Sequence, residues 1–226
     1  MPCSNRGALS EDHTCTPNPA FRGEATRINL AFARKRGFGV LCLNGPEGPM
    51  IAHVPFVLNA DGTEADMHLV RSNPIVRAVQ DATPAVIAVT GPDGYVSPDW
   101  YETPDQVPTW NYVAVHLRGE LAPSPPDGLR AHLDTVSAEF EARLPKIPWS
   151  TDKMTPGVMD RMMRQILPFR FAVTDVQGTW KLNQNKTDAA RLGAAAEIAT
   201  SGIGQELAEL ADLMRNGGPR TEMDKG

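Results

Sequence analysis

Breaks in the chain are its strongest constraint. Twenty prolines and 19 glycines run through 226 residues, and proline in a helix interior removes a hydrogen bond and clashes with the preceding turn. A long helical bundle is excluded. What remains is a succession of short apolar runs separated by turn sequences, the texture of a chain rich in strands.

Read from the N-terminal side, Thr26 to Arg36 has the spacing of a helix, with Ile28, Ala31 and Phe32 on one face and Gly37 placed to close it. Phe38 to Asn44 and Met50 to Leu58 flank Gly45-Pro46-Glu47-Gly48-Pro49, which predicts an antiparallel hairpin with a five-residue connection. After the turn at Asn59-Ala60-Asp61-Gly62 comes a third strand, Ala65 to Val70. Asn73-Pro74 opens a short helix running to Asp81, since proline tolerates the first helical position. Ala85 to Thr90 is apolar on both faces and predicts a central strand; Gly91-Pro92-Asp93-Gly94 reads as a turn into Tyr95 to Ser97. A loop from Pro98 to Pro108 precedes the longest strand, Thr109 to Leu121. Phe169 to Val176 alternates with period two.

Helices are inserted into and appended to this pattern. Leu129, Leu133, Val136, Phe140 and Leu144 recur every three or four residues, an amphipathic helix lodged after Pro123-Ser124-Pro125-Pro126. A second helical piece is expected over Val158 to Leu167, and two more follow Thr187 with a break near Ser201-Gly202. Six or seven closely spaced strands without a βαβ rhythm favour a small closed barrel. The expected organisation is a disordered leader over residues 1–20, a barrel domain over 21–186 with a helical insertion at about 128–167, and a helical tail over 187–226.

Charge and cysteine usage narrow the function classes. Lysine plus arginine total 22 against 27 acidic residues, a net charge of -5, which argues against a general nucleic-acid clamp. Cys3, Cys15 and Cys42 form neither a complete disulfide set nor a C-x-x-C pair, so a reducing compartment and no structural zinc are expected. No apolar stretch approaches the roughly 20 residues that span a bilayer, and the first 20 residues are too polar for a signal peptide. The expected location is the cytoplasm.

No dinucleotide-binding glycine motif, Walker loop, zinc-protease motif or nucleophile elbow occurs in the sequence. Of the five histidines, His53, His68 and His116 fall in predicted strands, His132 sits near the exposed side of the inserted helix, and His13 lies in the leader. Without carboxylates or thiols at ligand spacing, the strand histidines favour packing or a cofactor cleft over zinc.

Three clusters carry chemistry. In His68-Leu69-Val70-Arg71-Ser72-Asn73-Pro74, with Arg77 one turn on, a strand gives way to a helix that Asn73 can cap. Two guanidiniums near free N–H groups make a plausible phosphate seat, or else a surface helix whose arginines pair with Asp66 or Asp81. The second cluster is Tyr95 to Tyr101 followed by Val107 to Tyr112, where aromatic side chains gather beside polar Thr109 and Asn111. Such density suits an apolar slot with a few oriented polar groups, or a packed loop or dimer contact. The third, Trp180-Lys181-Leu182-Asn183-Gln184-Asn185-Lys186, places two cations and three amides after a turn.

The runs AHVPF (52–56), HLVRSNP (68–74), GYVSPDWY (94–101), VPTWNYVAVHLRGE (107–120) and WKLNQNK (180–186) together resemble the PaiB-like family, FMN-binding proteins named as negative transcriptional regulators. The resemblance covers roughly residues 21–192. It implies an FMN-binding split β-barrel like that of the pyridoxamine phosphate oxidases and flavin reductases, mainly β with inserted and C-terminal helices. It further implies a homodimer with two FMN sites at the subunit interface. On that resemblance Arg71, Asn73 and Arg77 hold the FMN phosphate, while His53, His68, Leu69 and Val70 line the ribityl chain and the isoalloxazine edge. Thr109, Trp110 and Asn111 flank the ring, and Trp180, Lys181 and Gln184 approach from the second copy. Val70 departs from the family pattern, which often has a small residue there.

Three functions compete on this reading. The first is an FMN-dependent redox protein taking electrons from a reductant such as NAD(P)H, with no acid or base singled out among His53, His68, His116 and Tyr95. The second is a regulator. Its DNA-binding form is disfavoured, because the one helix pair that imitates a helix-turn-helix, Ala189–Thr200 with Ile203–Arg215, carries Glu206, Glu209 and Asp212 against Arg215. The third is a haem protein akin to the piperazate synthases, with a strand histidine as axial ligand. Arginines after a strand suit phosphate better than propionate, which ranks haem behind FMN.

Overall fold

A computed structural model describes residues 18–219 of the chain. Helix α1 (Thr26–Arg36) stops where Gly37 adopts a left-handed conformation (φ 56°) and donates its N–H to the Ala33 carbonyl at 2.9 Å. A residue without Cβ takes that conformation at no steric cost. Strands β1 (Phe38–Gly45) and β2 (Gly48–Leu58) form the expected hairpin, but they pair to its very tip at Gly45↔Gly48. The connection is therefore Pro46-Glu47 alone. Then come β3 (Glu64–Val70), α2 (Pro74–Ala78), β4 (Thr83–Val96), β5 (Thr109–Pro123), α3 (Leu129–Glu141), α4 (Val158–Met163) and β6 (Ile166–Lys181). Helix α5 (Asp188–Ile198), the two-residue strand β7 (Gly204–Gln205) and α6 (Leu207–Asn216) complete the described chain.

All strand pairings are antiparallel, in the order β1-β2-β3-β6-β5-β4, and β4 pairs back onto β1 to close a six-stranded barrel. Closure covers most strand edges, although β2 and β3 meet over only three residues. Alternation fills the interior: Leu41, Val54, Phe56, Met67, Leu69, Ile87, Val89, Val115, Leu117, Leu121, Phe169 and Phe171 all point inward and are buried. Burying each large apolar side chain contributes on the order of 1.5–3 kcal/mol, which is what offsets the entropy of ordering the strands.

Two irregularities shape the barrel. The β4–β5 register shifts between Thr90 and Asp93, so the predicted turn at Gly91-Pro92-Asp93-Gly94 is instead a bulge inside one long strand. The β5–β6 register shifts between Arg118 and Gly119, and a Cβ on Gly119 would lie 1.8 Å from the Ala172 carbonyl oxygen. Only glycine fits there, because the bulge brings two backbones together. Two other expectations shorten. The helix expected to Leu167 stops at Met163, since Ile166 already pairs with Val70, and the helix from Pro74 ends at Ala78 rather than Asp81.

The C-terminal helices build a second core. Ala190, Ala194, Ala195 and Ile198 of α5 and Leu210, Ala211 and Met214 of α6 pack against Val96, Tyr101, Val113, Trp180 and Leu182. Arg36 and Lys35, at the end of α1, pair with Glu206 and Glu209 beside α6. Exposed pairs of this kind add little, so the apolar contact holds the helices down.

Candidate functional site

The predicted site residues fall into two groups at opposite ends of β6. The first surrounds the exit of β3. Strands β2 and β3 pair only at Phe56↔Met67, Val57↔Asp66 and Leu58↔Ala65. Beyond Phe56 the two strands part, and α2 lies against β2 with Ile75 and Val79 buried in the barrel core. His53, on the outer face of β2, stacks on Phe38 with ring centroids 6.3 Å apart. His68 and Val70 also face outward, and Val70 is 52% exposed. Leu69 faces the other way and is buried in the core, so only its backbone is available to a ligand, a consequence of the period of two.

Arg71 follows directly and is held twice. Its backbone N–H donates to the Gln165 carbonyl at 2.8 Å and its Nε donates to the Arg164 carbonyl at 2.6 Å. Its guanidinium forms no ion pair with a carboxylate among the described residues. Asn73 Oδ1 accepts from the Ile75 N–H at 3.0 Å, the cap expected from the sequence. Arg77 lies exposed in the last turn of α2. Neither Arg71 nor Arg77 enters an ion pair among the described residues. Asp66, one of the competing partners considered for them, is taken by Arg170 at 2.9 Å.

The second group lies at the far end. Thr109 and Trp110 start β5, and Trp180 and Lys181 end β6. Lys181 donates to Thr109 Oγ1, and burial, followed by the nearby Lys186 charge, pulls its pKa below the ordinary lysine value. Trp110 stands half-exposed against Tyr95, edge to face at 6.5 Å. The other three side chains are committed inside the chain. Asn111 is fully buried, with Nδ2 donating to Met214 Sδ at 3.4 Å and Oδ1 unpaired. Trp180 is buried, its Nε1 donating to Asn29 Oδ1 at 2.8 Å and its ring edge-on to Phe32 at 5.3 Å. Gln184 folds back, accepting from the Leu182 N–H at 2.7 Å and donating to the Trp180 carbonyl. Met214 of α6 thus meets Asn111, while Trp180 lies between α1 and the core that α5 and α6 share.

Sequence reading missed two neighbours of the first group. One is Arg164, which no motif marks and which reaches Arg71 only because β3 and β6 pair. The other is His132, assigned to the outer side of its helix. Instead α3 crosses the sheet and sets His132 Nε2 3.0 Å from His68 Nδ1, the rings edge to face at 5.3 Å. One imidazole donates and the other accepts. Burial lowers the pKa of His68; burial and then the His68 charge lower that of His132, against an opposing pull from Asp66. Beside this pair a groove of about 960 Å³ opens between α3 and the sheet, lined by Asp66, Glu120, His132, Pro168 and Arg170 among others.

The histidine pair has a pH consequence. Both folded pKa values lie below the ordinary value of about 6.5, so the unfolded chain takes up protons first as pH falls. The stabilisation is intact above that value and is lost below it. Thermal unfolding followed from about pH 7.5 down to 5.5 is expected to show a falling midpoint. A His132→Leu variant should show a shallower fall, with His116, also lowered by burial and then by Arg118, supplying the remainder. Equal slopes in both proteins would refute this account.

Among the described residues no group of three or more metal-ligating side chains assembles, and no helix is long and apolar enough to cross a membrane. The six-stranded barrel, with β2 and β3 parted beyond three paired residues and helices inserted before β6, is a split barrel. The chain belongs to the family described as "Putative FMN-binding domain", whose model matches residues 16–175. Among curated proteins it is 26% identical over 187 residues to Protease synthase and sporulation protein PAI 2 of Bacillus subtilis, covering 82% of this chain and 89% of that one. Among solved structures, the conserved hypothetical protein Rv2991 of Mycobacterium tuberculosis matches with a TM-score of 0.50 at 15% identity, over 74% of this chain and 91% of that one. The FAD and haem binding protein of Mycobacterium smegmatis matches with a TM-score of 0.48 at 18% identity, over 70% and 71%. The resemblance seen in the sequence motifs thus holds at the level of family and fold.

Proposed function

We propose that this chain is an FMN-binding redox protein that works as a cytoplasmic homodimer and takes electrons from a reductant such as NAD(P)H. The observation that carries the reading is the pair of carboxylate-free guanidiniums, Arg71 and Arg77, at a strand exit beside the Asn73 cap. A phosphate dianion is the natural partner of such a corner. His53, His68 and Val70 would then border the remainder of the cofactor, which when bound supplies a ring that accepts and releases electrons.

The arrangement of β6 supports the dimer. Arg71 meets Gln165 just before that strand, whereas Lys181 is its last residue. Sixteen strand residues at roughly 3.3 Å each separate the two groups by about 50 Å along the chain. A second copy would bring the second group to the first, with Thr109 and Trp110 arriving with Lys181 rather than with Arg71. The half-exposed outer row His53, Val40, Ala88, His116 across β2, β1, β4 and β5 offers the face for that contact.

DNA binding gains no support. Helices α5 and α6 spend their apolar faces on the barrel, and Glu206 and Glu209 meet Arg36 and Lys35. As for haem, His68 is engaged by His132, which removes one of the three strand histidines as an axial ligand. The test is the visible spectrum of the purified protein, with mass identification of whatever heating releases. Flavin bands that NADPH bleaches are expected. Colourless protein that also rejects added FMN would contradict the reading.

A further inference from the structure

Four arginines, not two, lie on the segments that meet where β3 joins β6: Arg71 and Arg77 after β3, Arg161 and Arg164 before β6. Arg164 caps α4 and offers its carbonyl to Arg71 Nε at 2.6 Å. Arg161 lies three residues earlier, on the same side of that turn. None of Arg71, Arg77, Arg161 and Arg164 joins an ion pair among the described residues. Carboxylates are within sequence reach, for Asp81 follows Arg77 by four residues and Asp160 precedes Arg164 by four. Cations on the neighbouring elements do find partners: Arg130 with Asp134, Arg143 with Glu139, Lys146 with Glu141, and Arg170 with Asp66.

Hydrogen-bond matching limits what fills this corner. One phosphate group accepts bidentate bonds from about two guanidiniums, which Arg71 and Arg77 supply. Arg161 and Arg164 then remain. Beside them lie two exposed apolar side chains, Val70 at 52% and Met162 at 58%. Val70 pairs with Ile166, and the Met162 carbonyl accepts from the Gln165 N–H at 2.9 Å, so both belong to this same junction.

We infer that Arg161 and Arg164 form a second phosphate seat, so that the site takes two phosphates rather than one. This rests on the FMN reading of Arg71 and Arg77. The second phosphate comes either from the pyrophosphate of a flavin dinucleotide or from the extra phosphate of NADPH. It extends the site along α4, away from the parted strands.

The experiment compares the full-length protein with an Arg161→Gln, Arg164→Gln double variant. Both residues are exposed, and retention of the wild-type unfolding midpoint serves as the control. Fluorescence titration measures FMN and FAD, stopped-flow measures reduction of the FMN-loaded protein by NADH and NADPH, and calorimetry measures inorganic pyrophosphate. The variant is expected to keep its FMN affinity within about twofold. It should lose tenfold or more for FAD if the dinucleotide is the source, or raise the NADPH half-saturation tenfold with NADH unchanged if the reductant is. Unchanged FAD-to-FMN and NADPH-to-NADH ratios would overturn the inference. If wild type binds no flavin at all, the FMN reading falls separately. The calorimetric arm then decides, with pyrophosphate binding lost in the variant for the second seat and binding absent or unchanged against it.

Discussion

Replacing Arg71 by Ala is expected to weaken FMN binding by about 1.5–3 kcal/mol, the worth of a hydrogen bond to a charged group, or roughly 10- to 150-fold in Kd. The effect should be specific. Arg71 is exposed and its side chain bonds to the Arg164 carbonyl, so the barrel core is untouched and the unfolding midpoint should barely move. Arg71→Lys should recover only part of the loss, because an ammonium cannot form the paired bonds of a guanidinium. Quenching of flavin fluorescence in equilibrium titration reads all three proteins. Wild-type affinity in Arg71→Ala would place the phosphate elsewhere.

Ile198→Ala is expected to cost about 2–5 kcal/mol of stability, the range for truncating a large buried aliphatic side chain. Ile198 is fully buried against the core shared by α5, α6, β4 and β6. If the C-terminal helices fold as one unit with the barrel, urea unfolding by intrinsic fluorescence and by circular dichroism should shift together. Trp180 sits in that core and reports on it directly. A loss under 1 kcal/mol, or two separated transitions, would make these helices an appendage.

How much was legible in the sequence depended on range. Local chemistry came through: the Asn73 cap, the closing Gly37 and the alternating strands were visible because the deciding partners lie within a few residues. Gly91 to Gly94 was misread for the opposite reason. The dipeptides signal a turn, but pairing of both flanks with β5 makes the segment a bulge in β4. The site divides the same way. Arg71, Asn73 and Arg77 are neighbours in sequence, on the turn from β3 and the helix α2 that follows it. Trp180 and Asn111 looked like slot residues by their company, yet Asn111 meets Met214 of α6 and Trp180 packs between α1 and the core of α5 and α6. Arg164 and His132 were invisible because their partners, Arg71 and His68, lie 93 and 64 residues away.

A single comparison bears most directly on the cationic corner: the affinity of the protein for FMN against riboflavin, which differ only in the phosphate. If guanidiniums at the exit of β3 grip that group, FMN should bind at least tenfold more tightly, and added salt should erode the difference. Equal affinity for the two flavins at low salt would contradict the account.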